Sequence, residues 1–177
     1  MSNSLLAKAI TFAQQKHEGQ TRKATALPYI THLAGVALLI NLLKRSKNLE
    51  PLMCAAYLHD TLEDTNTTSE EIQKEFGDLI ASLVIELTSD KNQIAKQGKT
   101  DYLQYKMVKM SSYALTLKLC DRLHNISDFP TDKTISETLD IINFLESNRK
   151  LNETQRKIIS LIRDRVIYLL GQKTITL

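Results

Sequence analysis

The chain has 177 residues, 42% hydrophobic and 24% charged, a length and balance that fit one ordinary domain and exclude disorder, collagen and low-complexity repeats. Five glycines and three prolines are too few for the closely spaced turns of a sandwich or barrel, so the composition points to helices. The net charge of +3 arises from 23 Lys and Arg against 20 Asp and Glu with no long run of either sign, which excludes the clustered basic stripe of a nucleic-acid binder.

Helical periodicity runs through the chain. Leu5, Leu6, Ala9, Ile10 and Ala13 share one face of a first helix that ends near the Gly19 loop. A polar, basic loop follows from Gly19 to Thr31, carrying Arg22, Lys23 and Pro28. The second helix is expected across Ala34–Leu43, and Pro51 suits the first turn of a third. Thr68 and Glu71 form a capping-box pattern for a short helix that stops at Gly77. Leu79–Leu87 reads as a further helix, Ser89–Thr100 as a polar loop, and Asp101–Met110 and Ser112–Ile126 as two more helices. Pro130 breaks the chain, Thr134 and Glu137 repeat the capping-box signal, and Asn152 and Gln155 open a last helix to about Leu170. The expectation is a single compact all-α bundle of about eight or nine helices over residues 1–177.

Cys54 and Cys120 are the only cysteines, and neither belongs to a CxxC pair. They read as buried thiols in a reducing compartment. The N-terminus lacks the features of a signal peptide, and the longest apolar run, Leu33–Leu43, is too short to span a bilayer. A cytoplasmic protein without a membrane partner is expected.

Chemistry concentrates in three segments. On a continuous helix, His59, Asp60, Glu63 and Asp64 would occupy an arc of roughly 140°, with His59 facing Glu63 and Asp60 facing Asp64. The arc continues an apolar stripe through Leu52 and Ala56, so the acidic end is expected to line a cleft neutralised by a cation. Lys118, Asp121 and Asn125 share a second face, and His32 stands just beyond Pro28-Tyr29-Ile30-Thr31. Two imidazoles and two carboxylates from three helices suit one divalent first-row metal such as Mn²⁺, Fe²⁺ or Zn²⁺ better than Ca²⁺. For His17 and His124 the expectation is an ordinary packing or surface role.

His32, the His59-Asp60 doublet and Asp121 resemble the H…HD…D pattern of the HD-domain metal-dependent phosphohydrolases. The segments His17–Lys23, Pro28–His32, Leu58–Thr65, Phe76-Gly77 and Lys118–Asn125 resemble, in order, the hydrolase domain of RelA/SpoT-type alarmone enzymes. The match covers about residues 5–145, with the C-terminal helices at 134–170, and the length implies a small stand-alone hydrolase. The resemblance implies that His32, His59, Asp60 and Asp121 hold one Mn²⁺ and that Glu63 and Asp64 are catalytic. It implies further that Arg22, Lys23 and Asn125 bind a small nucleotide. The implied reaction removes the 3′-diphosphate of guanosine tetra- or pentaphosphate as pyrophosphate. Two departures stand out. Leu33 follows His32 where relatives often have Pro, and Ile126-Ser127-Asp128 replaces a common Met-Arg-Thr. The second keeps adenosine alarmones, or the 2′-phosphate of NADPH, as alternative substrates, and a non-catalytic nucleotide sensor is the rival from another class.

Overall fold

A computed structural model of the chain describes residues 4–175, which form eleven helical segments. These are α1 (Leu5–Lys16), α2 (Ile30–Leu43), α3 (Leu49–Leu58), α4 (Thr61–Asp64), α5 (Ser69–Phe76), α6 (Asp78–Leu87), α7 (Lys91–Gln97), α8 (Lys99–Lys109), α9 (Ser112–Ser127), α10 (Asp132–Asn148) and α11 (Glu153–Ile175). No strand occurs among the described residues, so the all-α expectation holds. The nine longer helices match the expected number; the short α4 and α7 are additional.

Helix ends follow local chemistry where a side chain caps them. Thr68 Oγ1 accepts the Glu71 amide at 3.2 Å, as the capping box predicts. At α11, Asn152 Oδ1 accepts the Gln155 amide at 2.9 Å and Gln155 Oε1 accepts the Asn152 amide at 3.0 Å. Three boundaries differ from expectation. α2 begins at Ile30 rather than Ala34, because Pro28 O already accepts the Thr31 amide and hydroxyl. The expected loop Ser89–Thr100 contains α7, which Asp90 Oδ1 caps by accepting the Asn92 and Gln93 amides. Gly98, at φ +86°, ends it in a conformation that favours glycine. α10 starts at Asp132, since Thr131 rather than Thr134 is the N-cap.

The buried apolar residues form one cluster running from Ala9 to Val166. α3 lies at its centre against α1, α2 and α6, and α9 packs against α2, α6 and α11. Leu33, Leu52, Leu58, Leu117 and Leu119 are fully buried there. α2, α3 and α9 thereby converge, and their polar positions meet at one end of the core. No helix of the described residues is long and apolar enough to cross a membrane.

Candidate metal centre and its cavity

The expected continuous helix through His59 and Asp64 is broken. α3 ends at Leu58, and α4 starts at Thr61 as a separate short turn. Side chains take up carbonyls at the junction: His59 Nδ1–H donates to Ala56 O at 2.8 Å, and Thr61 Oγ1 donates to Leu58 O at 2.7 Å. The predicted pairing of His59 with Glu63 is therefore not what forms. His59 Nε2 instead lies 3.1 Å from Asp60 Oδ2 and 3.8 Å from Asp121 Oδ1.

Among the described residues, His32, His59 and Asp121 form a group whose donor atoms all lie within 4.8 Å of one another. They are 1%, 3% and 7% exposed, and they come from α2, the α3–α4 junction and α9. His32 Nε2 is 3.3 Å from Asp121 Oδ1 and 3.7 Å from Asp60 Oδ2, which places Asp60 at the margin of the cluster. His59 Nε2 is buried and has no hydrogen-bond partner despite its short distance to Asp60. A buried, unpartnered imidazole nitrogen beside carboxylates is costly unless a cation completes it, so this donor set fits a divalent metal.

The surrounding groups orient the cluster. Tyr29 OH donates to Asp60 Oδ2 at 2.6 Å. Lys118 Nζ stands 2.8 Å from Asp121 Oδ2, and Asn125 Nδ2 donates to Asp121 Oδ1 at 2.6 Å. Burial favours the neutral forms of these groups, but the contacts prevail: without a cation, Asp60 and Asp121 lift the His59 pKa to about 10, so that a proton takes the place a metal would fill, while Lys118 holds Asp121 well below the usual carboxylate range. Burial, then Asp60, pushes the Tyr29 phenol up. His124, expected to be incidental, places Nδ1 3.0 Å from His32 Nδ1, and burial followed by His32 and Arg22 lowers its pKa to about 4.

His32, Asp60 and Asp121 line a cavity of about 640 Å³ together with Glu63, Asp64, Arg22, Lys23 and Asn125. Glu63 Oε2 accepts the Ser89 amide at 2.9 Å, and its carbonyl accepts Lys91 Nζ at 2.9 Å. Asp64 keeps access to solvent; partial desolvation by the cavity wall, then Asp60 and Glu63, raises its pKa. Arg22 is fixed by Asp128 Oδ2 at 2.8 Å and Asn125 Oδ1 at 2.9 Å, and its guanidinium lies 5.8 Å from the Tyr29 ring centroid. Lys23 is exposed on the rim. Eight of the nine sequence-predicted site residues line this cavity, and the ninth, His59, lies behind it against Asp60. Ser89 and Phe129 also line the cavity and carried no sequence signal, whereas Tyr29 and His124 stood inside the motif segments Pro28–His32 and Lys118–Asn125 without an assigned role.

The HD domain family profile matches residues 9–151. The chain is 38% identical to the guanosine-3′,5′-bis(diphosphate) 3′-pyrophosphohydrolase MESH1 of Xenopus tropicalis over 126 residues, 71% of this chain and 69% of that one. It is 39% identical to the human MESH1 of the same description over 125 residues, 70% of this chain and 68% of the relative. A solved structure, described as a metazoan ortholog of SpoT that hydrolyzes ppGpp and plays a role in starvation responses, superposes with a TM-score of 0.76 at 26% identity. That likeness covers 93% of this chain and 97% of the other. Motif, fold and relatives agree: the chain belongs to the HD-domain family and is a homologue of the MESH1 proteins.

Proposed function

We propose that the chain is a manganese-dependent 3′-pyrophosphohydrolase of guanosine tetra- and pentaphosphate. The observation that carries this reading is the His59 Nε2 atom, buried without a partner beside His32 and Asp121, which line a charged cavity of nucleotide size. The MESH1 relatives, named as guanosine-3′,5′-bis(diphosphate) 3′-pyrophosphohydrolases, support the substrate class. Residues 1–177 are read as one cytoplasmic hydrolase domain; the two free, buried thiols Cys54 and Cys120 suit a reducing compartment.

His32, His59, Asp60 and Asp121 would hold the ion, with Mn²⁺ the first choice among first-row metals. When bound, such an ion supplies Lewis acidity toward phosphoryl oxygen and water. Asp64 takes a proton from the attacking water, a role suited to a carboxyl whose pKa is raised. Glu63, anchored through one oxygen to the Ser89 amide, orients that water with its other oxygen. Water oxygen bonds to the phosphorus next to the ribose, the bond from that phosphorus to the 3′-oxygen breaks, and the 3′-oxygen receives a proton. Arg22 and Lys23 offset substrate charge, and Asn125 lines the nucleotide end.

The test is turnover of guanosine alarmones, adenosine alarmones and NADPH side by side, with pyrophosphate and phosphate measured separately. Intact pyrophosphate from the guanosine substrate with Mn²⁺, lost on chelation, is the expected result. Phosphate from NADPH alone, or binding without turnover under every metal, overturns the proposal.

A further inference from the structure

Gly35 lies one turn after His32 on α2, directly beneath the His124 imidazole of α9. A Cβ on Gly35 would stand 2.1 Å from His124 Nε2 and 2.2 Å from its Cδ2, so no side chain fits while that ring holds its place. The same ring meets His32 edge-on, with centroids 4.8 Å apart and 70° between planes, and the two Nδ1 atoms are 3.0 Å apart. A nitrogen pair at that distance needs one N–H and one bare nitrogen. If His124 donated, a neutral His32 would carry its proton on Nε2, the atom 3.3 Å from Asp121, and would have no lone pair for a metal. If His32 Nδ1–H donates, Nε2 is bare and faces Asp121 and Asp60.

We propose that His124 is a positioning residue whose bare Nδ1 accepts the His32 Nδ1–H, fixing the tautomer and ring plane in which His32 Nε2 ligates metal. The inference rests on the metal reading given under Proposed function. His59 solves the same problem through a backbone carbonyl, that of Ala56, whereas His32 depends on a side chain from another helix. Gly35 belongs to the device, because its missing Cβ is the space the His124 ring occupies.

The experiment measures Mn²⁺ dissociation constants by calorimetric titration for wild type, His124→Asn, His124→Leu, Gly35→Ala, His124→Ala and the Gly35→Ala/His124→Ala double variant, with melting temperatures of the metal-free proteins as a fold control. Asn carries an amide oxygen where Nδ1 stood and can still accept. His124→Leu removes the acceptor, and Gly35→Ala keeps it but displaces the ring. Orienting partners of metal-bound histidines are worth about 10- to 100-fold in affinity, so the Leu and Gly35→Ala variants are expected to weaken Mn²⁺ by that factor. His124→Asn should stay within about threefold of wild type on the same scale. Gly35→Ala should cost nothing further in a His124→Ala background, since its effect travels through the ring. Wild-type affinity in folded His124→Leu, or equal losses in the Leu and Asn variants, overturns the proposal. A wild-type protein that takes up no Mn²⁺ overturns the metal reading instead.

Discussion

Glu63 and Asp64 are adjacent carboxylates in unequal surroundings. The Ser89 amide holds one Glu63 oxygen, while Asp64 keeps access to solvent and its pKa is raised by partial desolvation, then by Asp60 and Glu63. Environments that separate two neighbouring acids commonly divide their roles. Replacing Asp64 with Asn should lower kcat by about 10²- to 10⁴-fold, the usual worth of a general acid or base, while leaving Mn²⁺ affinity unchanged. Near-wild-type turnover of a variant with confirmed metal content would remove the assigned role. At this scale the sequence displayed the chemistry through residue type: imidazoles and carboxylates in a recognisable order. It could not display Tyr29 or His124, whose importance exists only as contacts across the fold, to Asp60 and to His32.

Helix starts were legible at the capping boxes of Thr68 and Asn152, but the same signal at Thr134 misplaced a cap that Thr131 supplies. Replacing Asn152 with Ala should destabilise the protein by about 1 kcal/mol, because the Gln155 amide loses its acceptor. Thermal or denaturant unfolding measures this, and an unchanged midpoint would show the cap to be dispensable. The α3–α4 break was not legible, since an angular count assumes a continuous helix and cannot foresee His59 and Thr61 side chains taking carbonyls from the ladder. α7 was hidden for a related reason: its composition is that of a loop, and its existence depends on the Asp90 cap and Gly98 stop. A pH-dependent tie links α8 to the end of α6. Lys106 Nζ donates to Thr88 O, and burial, then Lys118, lowers its pKa to about 8. An unfolded Lys titrates near 10.4, so between these values the unfolded chain binds more protons and stability from this group rises with pH. The buried thiols and Tyr29 act in the opposite direction, so the readout is the difference between wild type and Lys106→Met. That difference should shift in favour of wild type as pH rises from about 8 to 10; a flat difference would contradict the lowered pKa.

Across the whole molecule, the modest +3 conceals a concentration of both signs of charge around one cavity. Asp60, Asp121, Glu63 and Asp64 line the cavity beside the candidate metal donors, and Arg22 and Lys23 line the side proposed to receive the nucleotide. Hydrogen bonds join the two groups: Asp128 holds Arg22, Arg22 donates to Asn125, and Asn125 donates to Asp121. Asp128 is the unusual member, lying in the Ile126-Ser127-Asp128 segment that departs from the family pattern. Its carboxylate both fixes Arg22 and masks its charge, and these effects oppose each other for a polyanionic substrate. Asp128→Asn separates them, because an amide oxygen still accepts from Arg22 Nε while the negative charge is gone. A unit charge about 10 Å away costs about 0.4 kcal/mol at the dielectric of water. Several substrate charges therefore feel a repulsion on the order of 1 kcal/mol once salt screens part of it. Losing one acceptor geometry costs less when the amide replaces it, so electrostatics should win. Asp128→Asn should lower KM for a guanosine alarmone by about three- to tenfold at low salt, with the gain shrinking as ionic strength rises. Kinetics across a salt series measure this directly. A KM that rises by the same factor at every salt concentration would mean that Asp128 matters for holding Arg22 and not for its charge.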